Sequence, residues 1–395
     1  MNSSLGKRLD CLLSLSFPVL PLFSVTLFVG YSISKIVLRG NHIRTIPSRS
    51  FENITLENID SYSRQRPIID ISFNPLHSLR GDELAGIKGK AVSLRCDNCS
   101  LLYFPLLDKE AANKTTALYL RNNDIIKIAR GGLQNYNNLK ILDLSGNKRI
   151  IMRRSSLMGI ENSLQEFYLR DMELTRIPTK LLRDLKALKL ISLSNNFIYD
   201  IWDYTFDGFQ SQGIRIDLQF NDLRDITRHA LVVSDPDSNF SIDAMYLGNN
   251  MLETLEFLDN PCNLALSNTS VVWVDKNQLW CDCATYEIMN YKVVRVQGVC
   301  DSPYPNNNTV VDWRPGYPED QLYFLLEAAE KCDEDSHVGD KYVCQCSKWL
   351  PYSDDGIPPE CPVNSAMNLL TDFFLTALHF MISISLHFAQ FVCHR

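Results

Sequence analysis

Twelve cysteines and seven histidines are the side chains of this 395-residue chain best suited to chemistry. A cysteine can serve as nucleophile, metal ligand or half of a disulfide, and its spacing and surroundings decide which. Cys281, Cys283, Cys300, Cys332, Cys344, Cys346 and Cys361 crowd toward the C-terminus. Their Cys-x-Cys pairs lack the Cys-x-x-Cys spacing of common zinc knuckles, so they point to disulfides and an oxidising compartment rather than to a metal. The histidines are scattered. No Gly-x-Ser-x-Gly, no His-Glu-x-x-His and no Gly-rich phosphate loop occurs, so we assign no catalytic residue, metal or cofactor and expect no enzyme. The Asn-x-Ser/Thr triplets at Asn53, Asn98, Asn113, Asn239, Asn268 and Asn307 are candidate glycosylation sites and point to secretion independently of the cysteines.

The elements that must position these residues are written as a repeat. Phe167-x-Leu169-x-x-Met172 is followed by Ile191-x-Leu193-x-x-Asn196 and Ile216-x-Leu218-x-x-Asn221, at intervals of 24 and 25 residues. A fixed period of this length is the signature of a leucine-rich-repeat solenoid, in which each unit adds one short strand. The apolar pair alternates with polar residues, as a strand with one buried face does. The Asn that follows sits at a sharp inward turn, where its amide can satisfy backbone groups of its own coil and the next. The frame extends outward through Ile36, Ile69, Val92, Leu118, Leu142, Met245 and Val272, giving about ten repeats over residues 35–279. Two units look irregular. Val92-x-Leu94-x-x-Asp97-x-Cys99 puts Asp97 in the Asn slot and Cys99 in a core slot, as a small buried hydrophobe, with Cys96 as a free thiol or disulfide partner. In the fifth unit, Arg149 stands where an apolar residue belongs, which predicts a bulge.

The fold class expected is α/β: a solenoid whose parallel sheet lines the concave face. The residue between each apolar pair points to that face: Val37, Asp70, Ser93, Tyr119, Asp143, Tyr168, Ser192, Asp217, Tyr246 and Trp273. Tyr and Trp are enriched at binding hot spots, and Arg39, Arg95, Arg121 and Arg170 read as a basic flank beside them. Tyr119, Tyr168, Tyr246, Trp273, Arg121 and Arg170 are the candidate protein-binding residues.

Asn277-x-Leu279-Trp280-Cys281-Asp282-Cys283, Gly298-Val299-Cys300-Asp301 and Cys332 resemble the cysteine-rich C-terminal flanking cap of extracellular leucine-rich-repeat proteins. The resemblance covers residues 35–332. It implies a disulfide-bonded cap over 280–332 with Cys281 paired to Cys300 and Cys283 to Cys332, and a helix over 321–331. Residues 333–366 read as an irregular stalk, with Cys262, Cys344, Cys346 and Cys361 in any of three pairings. At the other end, Cys11 is the sole cysteine before Cys96, unlike the cysteine cluster that usually precedes the first repeat in that family. The first repeat is therefore expected to be poorly capped, or the chain to lack a coding segment its relatives carry.

Residues 1–34, with Lys7 and Arg8 ahead of an apolar run, read as a signal peptide or an uncleaved signal anchor. Residues 367–395 form an apolar tail, read as a glycolipid-anchor signal or a transmembrane helix. A net charge of −7 without a basic stripe argues against nucleic acid. The function expected is that of a cell-surface recognition or adhesion protein on the outer face of the plasma membrane. It would bind an extracellular protein ligand, with a co-receptor to signal; the alternative is a secreted structural or assembly subunit.

Overall fold

An apolar-polar-apolar triplet repeated every turn of the chain gives one short strand per turn, and stacking the turns buries every triplet against its neighbours. The computed structural model describes residues 34–56, 67–79, 81–89, 91–233, 238–258 and 265–279. It also describes the backbone of short strands at 13–14, 32–33, 295–297, 299–300, 311–312, 342–345 and 348–351. Ten repeat strands follow one another: β1 (Lys35–Val37), β2 (Ile68–Asp70), β3 (Val92–Arg95), β4 (Thr115–Tyr119), β5 (Ile141–Asp143), β6 (Glu166–Tyr168), β7 (Leu190–Ser192), β8 (Ile214–Asp217), β9 (Ile242–Tyr246) and β10 (Leu266–Trp273). Each pairs in parallel with the next.

The register sets Ile36, Ile69, Leu94, Leu118, Leu142, Phe167, Ile191, Ile216, Met245 and Val272 in one row across the sheet. None is more than 2% exposed. The outer arc is mostly turns, with α1 (Lys109–Lys114) and α2 (Thr179–Leu182) as its short helices. Asp108 caps α1 by accepting from the Glu110 and Ala111 amides. Between sheet and outer arc lies the core, in which Phe206, Phe209 and Phe240 pack with ring centres 5.5–5.9 Å apart. Buried Tyr136 donates its hydroxyl to the Pro105 carbonyl at 2.7 Å, and burial raises its pKa.

The inward turn works through the slot asparagine. Asn196 donates to the Leu193 and Leu169 carbonyls, in its own and the preceding coil, at 2.7 and 2.9 Å. Its Oδ1 accepts from the Met172 and Leu174 amides of that preceding coil at 2.9 and 3.1 Å. Asn74, Asn123, Asn147, Asn221, Asn250 and Asn277 repeat the arrangement. The residue just before each slot is left-handed: Gly40, Phe73, Asn98, Asn122, Gly146, Asp171, Asn195, Phe220, Asn249 and Lys276. A positive φ there turns the chain inward tightly enough to deliver the amide.

The third repeat departs from the frame read in the sequence. β3 pairs so that Leu94, not Val92, aligns with Ile69 and Leu118. The slot is therefore Cys99 rather than Asp97, and the core positions that follow are Leu101 and Phe104, while Leu102 is 40% exposed. Asn123 accepts from the Cys99 and Leu101 amides, as a slot and its second neighbour require. Cys99 is not a lone buried hydrophobe either, since it is disulfide-bonded to Cys96. The Cys99 side chain has no amide to offer the turn, and its covalent link runs to Cys96 of the same coil. In the fifth repeat Arg149 is exposed, and Ile150 packs on the core in its place, one residue later.

Two further strands extend the sheet: Leu13–Ser14 lies parallel to the outer edge of β1, and Arg295–Gln297 parallel to β10. Within the segment read as an irregular stalk, Tyr342–Gln345 and Lys348–Pro351 form an antiparallel hairpin. The cap pairings of Cys281, Cys283, Cys300 and Cys332, the helix over 321–331, the pairing of Cys262, Asn307 and the apolar tail lie outside the described residues.

Candidate binding face

Three rows of side chains cover the concave sheet. The central row holds Val37, Asp70, Arg95, Tyr119, Asp143, Tyr168, Ser192, Asp217, Tyr246 and Trp273. Arg95 takes the place expected of Ser93, which is buried two positions earlier. A two-residue slip preserves strand parity, so the member changes and the face does not. Two residues further along each strand stand Arg39, Ser72, Asp97, Arg121, Ser145, Arg170, Ser194 and Gln219. The left-handed turn residues border these, with Phe73 and Phe220 exposed among them.

The arginines are not a free basic flank. Arg39 lies over the Phe73 ring at 4.2 Å and Arg95 over Tyr119 at 4.5 Å. Arg121 is ion-paired to Asp143, which is fully buried and also accepts from the Ser145 amide at 3.1 Å. Arg170 stacks over Tyr168 at 5.2 Å, donates to Ser192 Oγ at 2.6 Å and reaches Asp217 at 3.5 Å. Each cation thus meets an anion or a ring of the same or the next repeat. The sheet spacing of ~4.8 Å makes that reach possible.

This network sets the titration of its members. Burial raises the pKa of Asp97, against the opposing Arg121 amide and the nearby Arg95 charge. Burial works against the charge of Arg121, but the Asp143 carboxylate more than offsets it and leaves the pKa raised. Tyr168 is pushed up by burial and by donating its hydroxyl to Glu166 at 2.8 Å. Among the described residues, no group of three or more His, Cys, Asp or Glu is arranged to hold a metal. The arrangement can bind.

Of the six residues read as the binding set, five fall into two groups. Arg121 sits with Asp143, and Tyr168 with Arg170, one repeat further along the same network. Tyr119 lies beside the first group under Arg95. Tyr246 and Trp273 form the second, separate group, stacked at 6.2 Å and 16° at the C-terminal end of the sheet. The candidate glycosylation residues Asn53, Asn113 and Asn239 are exposed on the chain leading into the strands, and Asn98 is half-buried at the border of the concave face. The side chain of Asn268 is outside the described residues.

Sequence reasoning missed one cluster. On the opposite flank, where the seventh repeat leaves its slot, Phe197, Tyr199, Trp202 and Tyr204 are all exposed. The Arg176 guanidinium lies 4.3 Å from the Trp202 ring and 6.0 Å from Tyr199, and Trp202 Nε1 donates to Asp200. Tyr204 stacks on His229 at 6.3 Å. The signal was available: aromatic residues stand at Phe197, Tyr199, Trp202 and Tyr204, where the core needs only Ile198, Ile201 and Phe206. A shallow cleft of about 370 Å³ between the Arg154–Leu157 turn and α2 lies on the outer arc, away from both.

No protein-family model matches the chain. Curated relatives include lumican of Coturnix japonica and of Gallus gallus, each 26% identical over 187 residues, 46% of this chain and 49% of theirs. The chain therefore spans about half the length of the curated relatives it matches. Among solved structures, human 5T4 (trophoblast glycoprotein) superposes with a TM-score of 0.46 at 19% identity, over 61% of this chain and 89% of that one. A chain from the octameric complex of latrophilin 3, Unc5D and FLRT2 gives 0.48 at 16% identity, over 73% and 91%. Both scores are under 0.5, and the assignment stands instead on the molecule's own parallel ladder and slot asparagines. By that ladder and those slots, the fold is a leucine-rich-repeat solenoid.

Proposed function

We propose that the chain is an extracellular, non-enzymatic recognition protein that captures a protein ligand on its concave face. The observation that carries this reading is the central row. Half-buried Tyr119, Tyr168, Tyr246 and Trp273 stand on one face of the sheet, on β4, β6, β9 and β10, and neighbouring guanidinium groups or rings hold each of them in place. Aromatic side chains held this way lose little conformational freedom on binding, which is what makes Tyr and Trp effective anchors. Display at the cell surface, attachment through the apolar tail and a co-receptor for signalling belong to the same proposal.

The test is capture of partners by the full chain displayed on cells, read by proximity labelling. Substituting Tyr119, Tyr168 and Tyr246 together by Ala should remove most labelled partners relative to the parent. Unchanged labelling at equal surface display would reject the concave face as the binding site and favour a structural or assembly role.

A further inference from the structure

The acceptor triplet Asn98-Cys99-Ser100 and the Cys96–Cys99 disulfide share a residue. We propose that glycan transfer to Asn98 and closure of this disulfide exclude one another, so that the disulfide keeps the N-terminal half of the concave face free of glycan. The inference rests on the extracellular reading, because both reactions need a chain that enters the secretory pathway.

The two reactions make opposite demands on one short segment. In glycan transfer, Asn98 Nδ2 bonds to the anomeric carbon of an oligosaccharide carried on a lipid diphosphate. The lipid diphosphate leaves, and the amide nitrogen loses one proton. An amide nitrogen is a weak nucleophile, and the step needs an acceptor triplet free to bend into a transferase. In disulfide closure, two thiols lose two protons, and their two electrons pass to the disulfide of an oxidising exchange partner. The ring that forms holds the triplet in the folded turn, where Asn98 and Ser100 are both left-handed, with φ of 54° and 55°. The Asn98 amide then donates to the Arg121 carbonyl at 2.8 Å, and the Cys99 amide to Asn123 Oδ1 at 2.9 Å. A segment closed and bonded in this way cannot bend into another enzyme.

Asn98 also differs from the other candidates in place. Asn53, Asn113 and Asn239 are exposed away from the sheet, whereas Asn98 is half-buried in the turn row that borders the concave face. Its backbone neighbour on one side is Phe73, whose amide donates to the Asp97 carbonyl at 2.8 Å. A glycan rooted there would stand beside Arg95 and Tyr119.

The experiment uses the full chain expressed in cultured mammalian cells. Occupancy at Asn98 is measured by enzymatic deglycosylation in heavy-oxygen water and mass spectrometry, with thiols alkylated beforehand and Asn53 and Asn113 as internal references. In the parent, Asn98 should be far less occupied than Asn113, and no peptide should carry both a glycan at Asn98 and a closed Cys96–Cys99 bridge. Cys96→Ser, which opens the ring and leaves the triplet intact, should raise Asn98 occupancy several-fold. Brief treatment of parent cells with a permeant reductant should do the same without any substitution. Asn53 and Asn113 on the same chain report transfer in every variant, so a variant that folds poorly still gives a referenced occupancy at Asn98. Equal occupancy in parent and variant, or peptides bearing glycan and bridge together, would overturn the proposal. Empty Asn53 and Asn113 would instead overturn the extracellular reading, and this inference with it.

Discussion

A single slot asparagine satisfies both amides and carbonyls of two coils, and that makes it hard to replace. Asn196 is buried and makes bonds to Met172, Leu174, Leu169, Leu193 and Ser194. Asn196→Ala leaves those backbone groups without partners, at a cost of about 3 kcal/mol, measurable as a lower urea midpoint. Asp97 behaves oppositely. Its raised pKa means that the folded chain holds the proton more tightly than the unfolded chain does, so stability is highest below the unfolded value and falls as pH rises through the folded one. Asp97→Asn keeps an oxygen for the Arg121 amide and removes the buried charge. Unfolding followed against pH should therefore lose that fall, leaving the variant more stable than the parent at neutral pH.

At the scale of the element, burial separates two aromatic groups that look alike in sequence. Phe206 is buried between Phe209 and Phe240, so Phe206→Ala should cost about 3–5 kcal/mol. Trp202, four residues earlier, is 54% exposed, so Trp202→Ala should leave the unfolding free energy within about 0.5 kcal/mol. The ten strands and the regular slots were legible because a strand needs only alternation and a slot only an amide. The third repeat was misread because Val92 and Leu94 alternate as a core pair should, and Asp97 imitates an Asn. The interval was the better guide: placing the slot at Cys99 restores spacings of 25 and 24 residues. Seven of the ten left-handed positions are Gly, Asn or Asp, a second period that favours Asn98 over Cys96, the residue that a slot at Asp97 would require there. The pairing of the concave arginines was not legible. It depends on which repeat's carboxylate stands beside which guanidinium, and that follows from register alone.

Across the whole molecule, the concave face is a field of paired charges punctuated by rings, inside a chain whose net charge is −7. Long-range attraction then contributes little to docking. Raising salt from about 0.1 to about 0.5 M should change the association rate of a captured partner less than threefold, measured by surface plasmon resonance. A face that worked through free arginines would show a much steeper dependence. The asparagine ladder has one more consequence, in the chemical ageing of the protein. Deamidation begins when the backbone nitrogen of the next residue attacks the side-chain carbonyl carbon, and a slot amide tied to backbone groups of two coils cannot swing into that path. Exposed Asn53 and Asn239 have no such restraint at the side chain. In a preparation kept warm for weeks, and without glycan, the mass shift of one dalton should gather at those two positions while Asn123, Asn196 and Asn221 stay unaltered, so that the interior of the solenoid keeps its original chemistry long after its surface has lost it.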